Sequence, residues 1–216
     1  MSIGERLEGV LARIASTCRQ VGRDPSEVTL IAVTKGVEVA AMKEAYKCGQ
    51  RDFGESRLQE ALQKIAALPR DIRWHFIGRL QSNKARRAAE VFDFLHTLES
   101  QAQLDAIARQ ERVVDVAIQV NVASEPQKAG IAPAGLDEYV RSCLNCPRVR
   151  LRGLMTIGPM LEPGQMRPYF RKLRELLPKV PSGDVLSMGM SGDFVEAIQE
   201  GATHVRVGSA IFGDRA

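Results

Sequence analysis

Long apolar runs, aromatic residues and cysteines are all scarce in this chain of 216 residues. No apolar run approaches the roughly 20 residues that a membrane-spanning helix needs, and the charged N-terminus lacks the apolar stretch of a secretory signal. Aromatic residues make up only 5% of the chain and do not alternate with basic ones, which disfavours a nucleic-acid partner. We therefore expect a cytoplasmic protein that contacts no membrane.

The four cysteines are too few and too scattered to form a disulfide framework. Cys143 and Cys146 make one C-x-x-C pair, but a zinc site would need a second pair or histidines at ligand spacing. We expect ordinary thiols in a reducing compartment and no metal site.

The net charge of +4 is mildly basic, and basic residues cluster in segments 83–87 and 171–174. Solvent-facing helix surfaces are the simpler interpretation of these clusters, and a nucleic-acid interface is the alternative. RNA binding with a steep salt dependence would support the alternative.

The first segment of the chain has the pattern of an amphipathic helix, with Ser2 and Glu5 at capping-box spacing. Its apolar residues recur at helical spacing, and they are Ile3, Leu7, Val10, Leu11, Ile14 and Cys18.

Short apolar runs then alternate with helical patterns in eight units, which indicates a parallel sheet. The predicted strands cover 28–35, 51–55, 73–78, 91–99, 113–122, 149–158, 184–189 and 204–208. Eight units predict an α/β fold, a single (β/α)8 TIM barrel with an extra N-terminal helix, as one domain over 1–216. An open doubly wound sheet is the alternative.

Lys35 follows the apolar run of the first predicted strand, although lysine is among the residues least often buried. Functional residues of this barrel lie at the C-terminal ends of strands. By strand alternation Lys35 shares a face with Ile31 and Val33, so it points into the barrel mouth if those two fill the barrel. A lysine there can attack a carbonyl as an amine; a lysine that simply reaches solvent is the alternative.

Glycine-rich turns follow the last two predicted strands, at 189–192 and at Gly208-Ser209. In this barrel the loops after strands seven and eight commonly bind phosphate, through backbone amides at helix N-termini. Plain helix capping by Asp193 and Glu196 is the alternative.

Arg206 shares one parity of the eighth strand with His204 and Gly208, so the pattern predicts that it points into the barrel. An inward guanidinium is always charged and needs an acceptor. A structural ion pair with Glu55 or Glu99 is the alternative to a ligand contact.

An amine, a phosphate cradle and an arginine between them suit pyridoxal 5′-phosphate, which has an aldehyde, a phosphate and a ring nitrogen. A lysine-dependent aldolase or decarboxylase barrel also combines a lysine with a phosphate site. These residues by themselves leave both possibilities open.

Several long segments resemble, in order, motifs of the pyridoxal phosphate homeostasis protein family, which is related to the N-terminal barrel domain of alanine racemase. They are LIAVTK, FGESRLQE, WHFIGRLQSNK, GLMTIGP and LSMGMSGDFVEAIQEGATHVRVGSAIFG. The resemblance implies a monomeric barrel in which Lys35 carries pyridoxal 5′-phosphate as an internal aldimine. It also implies that Arg206 lies at the pyridine nitrogen.

The same resemblance implies that Ser191, Gly208 and Ser209 hold the phosphate, with Gly192 beside them. The chain departs from the family at Ser56-Arg57, where the family commonly has Asn-Tyr. Ser56 can still donate and accept a hydrogen bond, so we keep it as a cofactor-binding candidate with a shorter reach.

An arginine at the ring nitrogen leaves the ring unprotonated and a poorer electron sink. We therefore expect a carrier or buffer of the cofactor in vitamin B6 homeostasis, without significant catalysis, that hands it to apo forms of pyridoxal-phosphate-dependent enzymes. A second domain that could bring an acid or base is not expected, since the sequence ends at Ala216. A weak racemase or lyase acting on amino acids is the alternative. No residue is assigned a catalytic role: the three histidines fit the core, and the three tyrosines fit helix packing or the surface.

Overall fold

A computed structural model describes residues 1–125, 127–159 and 164–213. Eight parallel strands close into a barrel in chain order, with the first strand paired to the last. The strands are β1 (Thr29–Val33), β2 (Asp52–Glu55), β3 (Arg73–Phe76), β4 (Phe94–Leu98), β5 (Val114–Gln119), β6 (Val149–Met155), β7 (Val185–Ser187) and β8 (His204–Val207). The predicted (β/α)8 barrel is confirmed, and the open sheet is wrong.

One helix follows each strand on the outside of the barrel. A further helix comes before the first strand in the chain and packs against the second, eighth and ninth helices. The helices are α1 (Ile3–Gln20), α2 (Val39–Lys47), α3 (Leu58–Ala67), α4 (Ser82–Val91), α5 (Gln101–Ile107), α6 (Leu136–Leu144), α7 (Arg167–Leu176), α8 (Phe194–Gln199) and α9 (Ser209–Phe212). Short 3-10 turns lie at Pro25–Glu27, Pro133–Gly135 and Leu177–Lys179. Among the described residues no helix is both long and apolar enough to cross a membrane.

The extra N-terminal helix begins with the predicted capping box. Ser2 Oγ accepts a hydrogen bond from the Glu5 amide at 3.2 Å, and Glu5 Oε2 accepts one from the Ser2 amide at 2.7 Å. Five of the six residues expected on its apolar face are buried. Leu11 is the exception, with 43% of its surface exposed, because it lies one position beyond the buried stripe that Val10 occupies.

All eight predicted strands extend beyond the observed ones at one end or both, and β1 and β4 show why. β1 stops at Val33 because the chain turns at Thr34, whose carbonyl accepts a hydrogen bond from the Val37 amide at 2.9 Å. The fourth strand begins at Phe94, because the preceding residues belong to α4 and its C-cap. There Phe92 is fully buried and packs edge-on against Phe76, with 5.2 Å between the ring centroids.

The barrel has an apolar layer outside the strands and a largely polar interior. Asp52, His75, His96, Ser187 and Arg206 come from five different strands and form a connected set of hydrogen bonds. His96 on β4 contacts Ser187 on β7, which is possible only across the inside of the barrel. A small apolar cluster lies beside this polar set and consists of Phe94, Ala117, Met155 and Val185.

The two basic segments lie on helix surfaces, as the simpler interpretation predicted. In α4, Arg86 and Arg87 are exposed and pair with Glu90 at 3.1 and 2.9 Å. In α7, Arg171 and Arg174 pair with Glu200, a carboxylate only 2% exposed. The α7 segment is therefore engaged in holding α7 to the helix that precedes β8.

Candidate functional site

Lys35 lies in the turn that joins β1 to α2, at the C-terminal end of the barrel. It is half-buried, and its amine makes no hydrogen bond or ion pair with the rest of the described chain. The prediction that Lys35 belongs to the strand itself is wrong by two residues, but its place at a C-terminal strand end is confirmed. An amine without a protein partner is available to a ligand.

The backbone on the N-terminal side of Lys35 is fixed by two buried side chains. The carbonyl of Thr34 accepts a hydrogen bond from Lys64 Nζ at 2.6 Å, and Thr34 Oγ1 donates to Glu55 Oε1 at 2.6 Å. Lys64 also donates to Glu55 Oε1 at 2.8 Å. Burial raises the pKa of Glu55, although the hydrogen bonds from Lys64 and Thr34 oppose that change.

The backbone on the other side is held by Glu60. The amide of Gly36 donates to Glu60 Oε1 at 2.7 Å, and the same oxygen accepts from Lys64 Nζ at 2.5 Å. Burial alone would raise the pKa of Glu60, but the hydrogen bonds from Lys64 and Gly36 bring it below its usual value. Both residues that flank Lys35 are thus attached to one ion-paired cluster, which fixes where Lys35 leaves the chain.

Arg206 on β8 points into the barrel, as predicted, and is 4% exposed. Its Nη1 donates to Ser187 Oγ at 2.8 Å, and its Nη2 donates to the carbonyl of Thr156 at 2.9 Å. The ion pair with Glu55 or Glu99 is wrong: both partners of Arg206 in the described chain are uncharged oxygens. Glu55 lies on the outer face of β2, where it meets α3.

Burial lowers the pKa of Arg206 to about 10, although the charge of Asp193 opposes the change. The guanidinium therefore stays protonated at neutral pH. Two of its five N–H donors are used by Ser187 and Thr156. A buried cation with spare donors and no carboxylate partner is suited to an acceptor atom on a ligand.

The turns after β7 and β8 meet at the same end. Ser191 Oγ accepts a hydrogen bond from the amide of Gly208 at 3.2 Å. A Cβ at Gly208 would lie 3.3 Å from the carbonyl oxygen of Val33, so the β8 turn lies directly against the end of β1, two residues from Lys35. The structure therefore brings together Ser191, Gly208 and the Lys35 turn.

Gly189 makes the turn after β7 possible. Its φ is +92°, a backbone conformation that side-chain-bearing residues rarely adopt, and a Cβ there would lie 2.6 Å from the Cβ of Ala197. The alternative, in which Asp193 and Glu196 only cap α8, is wrong. Asp193 accepts from the amide of Met190 at 2.6 Å instead of capping the helix, and Glu196 accepts from the amide of Gly164 at 2.6 Å.

The other two phosphate candidates lie at the start of the short helices. Ser209 is the first residue of α9 and is exposed, and Gly192 is exposed with no atom within 4 Å of the position a Cβ would take. First-turn amides of a helix have no partner within the helix. Both residues are accordingly open to solvent and free to face an anion.

Ser56 immediately follows β2 and is half-buried. It is at the same end of the barrel, but no hydrogen bond in the described chain joins its hydroxyl to the other candidates. The adjoining Arg57 is exposed.

The sequence reasoning missed the residues that support the site. Lys64 follows Ala61 by three positions on the buried stripe of α3, and a lysine on such a stripe was a usable signal. The residues that connect to Arg206 by hydrogen bonds gave a weaker signal, because they are only polar residues at inward strand positions. They are Ser187, His96, His75 and Asp52.

Comparison with known proteins identifies the family of this chain. The family model described as "Alanine racemase, N-terminal domain" matches residues 10–216. A pyridoxal phosphate homeostasis protein of Aquifex aeolicus is 43% identical over 226 residues, which cover 100% of this chain and 99% of that protein. One of Pseudomonas aeruginosa is 44% identical, over 99% of this chain and 96% of that protein.

Solved structures give the same result. PipY of Synechococcus elongatus, with pyridoxal phosphate bound, is 38% identical and superposes with a TM-score of 0.83 over 98% of this chain and 100% of its own. Alanine racemase of Corynebacterium glutamicum shares the fold, with a TM-score of 0.74 at 15% identity, over 97% of this chain and 62% of its own. The chain belongs to the alanine racemase N-terminal domain family and, within it, to the pyridoxal phosphate homeostasis proteins.

Proposed function

We propose that this protein binds pyridoxal 5′-phosphate covalently at Lys35 and holds it as a carrier or buffer in vitamin B6 homeostasis. The observation that carries the proposal is Arg206, a buried cation with uncharged partners and spare donors, at the end of the barrel where Lys35 leaves β1. The names of the relatives and the pyridoxal phosphate bound to PipY support it. The proposal treats 1–216 as one binding domain that works in the cytoplasm.

The residues present fit the chemical groups of the cofactor. Lys35 has a free amine for the aldehyde, and Arg206 has N–H donors for the ring nitrogen. Ser191 and Ser209 offer two hydroxyls for the phosphate, and the amides of Ser209 and Gly192 make no hydrogen bond in the described chain. The amide of Gly208 donates to Ser191 Oγ and holds the two turns together. Ser56 would lie on the β2 side of the mouth with its hydroxyl unpaired.

Bound pyridoxal phosphate supplies an electrophilic aldehyde on a ring that can withdraw electrons. Arg206 limits that withdrawal, because a group with a pKa near 10 keeps its proton at neutral pH and only donates a hydrogen bond. The hydrogen bonds to Ser187 and Thr156 hold the guanidinium in that role.

Two side chains that could act as an acid or base are already engaged within the protein. His96 is buried and already bonded to His75 and Ser187, and the hydroxyl of Tyr139 donates to the carbonyl of Ser100 at 2.8 Å. We therefore favour binding and transfer of the cofactor to apo-enzymes over turnover of amino acids, and catalysis remains the outcome that would oppose the proposal.

The test maps the attachment site. Purified protein loaded with pyridoxal phosphate is reduced with borohydride, digested, and analysed by mass spectrometry. We expect the pyridoxyl group on Lys35 and its loss in Lys35→Ala, with an unchanged fold by circular dichroism, since the amine of Lys35 makes no hydrogen bond or ion pair in the described chain. Lys43→Ala, at an exposed lysine of α2, is the matched control and should retain the label. A label mainly on another lysine would overturn the assignment.

A further inference from the structure

A cavity lies beside the barrel mouth, between the N-terminal ends of α3 and α4, with a volume of about 370 Å³. Its floor is apolar and consists of Leu58, Phe76 and Leu80, each at most 6% exposed. Among the candidates for the cofactor site only Ser56 lines it. The cavity is thus next to the barrel mouth but is formed by a different set of residues.

Three cationic side chains form its rim, and nothing in the described chain neutralises them. Arg57, Arg79 and Lys84 are exposed and make no hydrogen bond or ion pair with the described residues. No acidic residue lines the cavity. The two carboxylates that flank Arg57 in sequence are engaged elsewhere: Glu55 accepts from Lys64 and Thr34, and Glu60 accepts from Lys64 and the Gly36 amide. Arg57 contributes slightly to lowering the pKa of Glu60.

Two helix N-termini add to this positive potential. α3 begins after Arg57 and α4 begins after Gln81, each helix has 10 residues, and neither has a side chain that caps its first amides. The unpaired amides and the helix dipole make such ends favourable for anions. Two uncapped ends that converge on one cavity with three unpaired cations favour an anionic ligand.

We propose that this cavity binds a small organic phosphate, a phosphate ester with a flat apolar body. The phosphate would lie among Arg57, Arg79 and Lys84, and the body would cover Leu58 and Phe76. The volume is in the range of small-molecule sites. Arg57 belongs to the pair in which this chain departs from the family pattern, whereas Arg79 and Lys84 lie in a segment that resembles it.

A nucleic-acid backbone is a poorer occupant than a small ligand. It would need a continuous basic surface along α4, but the next two arginines of that helix, Arg86 and Arg87, are paired with Glu90. The unpaired charge ends at Lys84, within the first turn of α4.

The experiment uses phenyl phosphate as the probe and protein whose Lys35 has been coupled reductively to pyridoxal phosphate, so that the barrel mouth is already filled. Isothermal titration calorimetry at low salt should show one saturable site that binds phenyl phosphate more tightly than inorganic phosphate. Arg57→Gln and Arg79→Gln should each weaken binding about tenfold, the loss expected for one charge-assisted hydrogen bond. Arg87→Gln is the matched control. Arg87 lies on α4 away from the cavity and is paired with Glu90, so this variant should bind phenyl phosphate unchanged.

The absence of saturable binding, or an equal loss in Arg87→Gln, would overturn the inference. Affinity for single-stranded RNA that grows with oligomer length and exceeds that for phenyl phosphate would also overturn it and point to a nucleic-acid surface. If no Lys35 adduct forms, the proposed function fails separately. The titration is then made on Lys35→Ala protein, where dependence on Arg57 and Arg79 decides the cavity.

Discussion

Arg206 and Asp52 are joined across the barrel interior by an unbroken chain of hydrogen bonds. From Arg206 the chain passes to Ser187 at 2.8 Å, to His96 at 2.9 Å, to His75 at 2.9 Å and to Asp52 at 3.0 Å. An arginine can only donate and an ionised carboxylate can only accept. When each ring carries a single proton, Asp52 accepts the one on His75 Nε2, so that His96 Nε2 donates to His75 Nδ1 and Ser187 Oγ donates to His96 Nδ1.

The charges at the two ends support this direction. Burial alone would raise the pKa of Asp52, but hydrogen bonds from His75 and Arg73 bring it below its usual value, so Asp52 is ionised at neutral pH. Burial holds the pKa of His96 well below 6.5, so its ring is neutral there. The chain links a cation on β8 to an anion on β2 through the neutral ring of His96.

We expect His96→Phe to break this chain in the middle. Ser187 and His75 would each lose a buried hydrogen-bond partner, and the free energy of unfolding should fall by about 2–4 kcal/mol. Urea denaturation measures it. His204→Phe is the control, because His204 is outside the chain and bonds to Thr203 at 3.0 Å. Equal losses in the two variants would mean that the chain adds nothing beyond packing.

We expect His96 to make the protein less stable in acid. The pKa of His96 is lowered in the folded state, so below the unfolded pKa near 6.5 the unfolded chain binds a proton that the folded protein does not. Protons therefore favour unfolding, and stability is lost as the pH falls through this range. The unfolding free energy should drop by about 1.4 kcal/mol for each pH unit below that point. Urea denaturation between pH 7.5 and 5 should show a shallower slope in His96→Gln, and an unchanged slope would contradict this.

We expect Lys64→Met to destabilise the turn that carries Lys35. The change leaves the buried carboxylate of Glu55 and the carbonyl of Thr34 without their donor, and breaking a buried pair typically costs about 3–5 kcal/mol. Thermal and urea unfolding measure the loss, and Lys43→Met on the exposed face of α2 is the control.

A double-mutant cycle separates the pair from the packing around it. Glu55→Gln combined with Lys64→Met should cost clearly less than the sum of the single changes, because no buried charge is then left alone. Additive losses would show that Lys64 and Glu55 act independently.

We expect Gly208→Val to act on the phosphate more than on the ring. The new side chain would crowd the carbonyl of Val33, 3.3 Å from the first added carbon, and would displace the amides after β8. Binding of pyridoxal phosphate should weaken by about tenfold or more, while binding of unphosphorylated pyridoxal changes little. Gly9→Ala, on α1 and also with open space at its Cβ position, is the control. An equal loss for both ligands would make the turn purely structural.

We expect negligible exchange of the α-proton of amino acids. A missing general acid or base typically costs about 10²–10⁴-fold in rate, and Arg206 further limits the ring as an electron sink. Proton NMR of alanine in heavy water with loaded protein should show a stable α-proton signal over hours. Rapid loss that depends on Lys35 would instead favour the racemase or lyase alternative.

The sequence by itself determined the fold, because each strand and helix carries its own periodicity and eight repeats of that pattern close a barrel. It also determined the place of Lys35 and the inward direction of Arg206, since strand parity and C-terminal strand ends can be read along the chain. The capping box of Ser2 and Glu5 was readable for the same reason: it is a contact between near neighbours.

Only the tertiary structure decided what those residues contact. Arg206 meets Ser187, 19 residues away, and Thr156, 50 residues away, and Lys64 reaches back 30 residues to Thr34. Strand parity gives the face of a side chain but not its partner on another strand, because the partner depends on strand register and on the curvature of the closed barrel. The same holds for the cavity rim, where Arg57 and Lys84 converge only because two helices begin side by side.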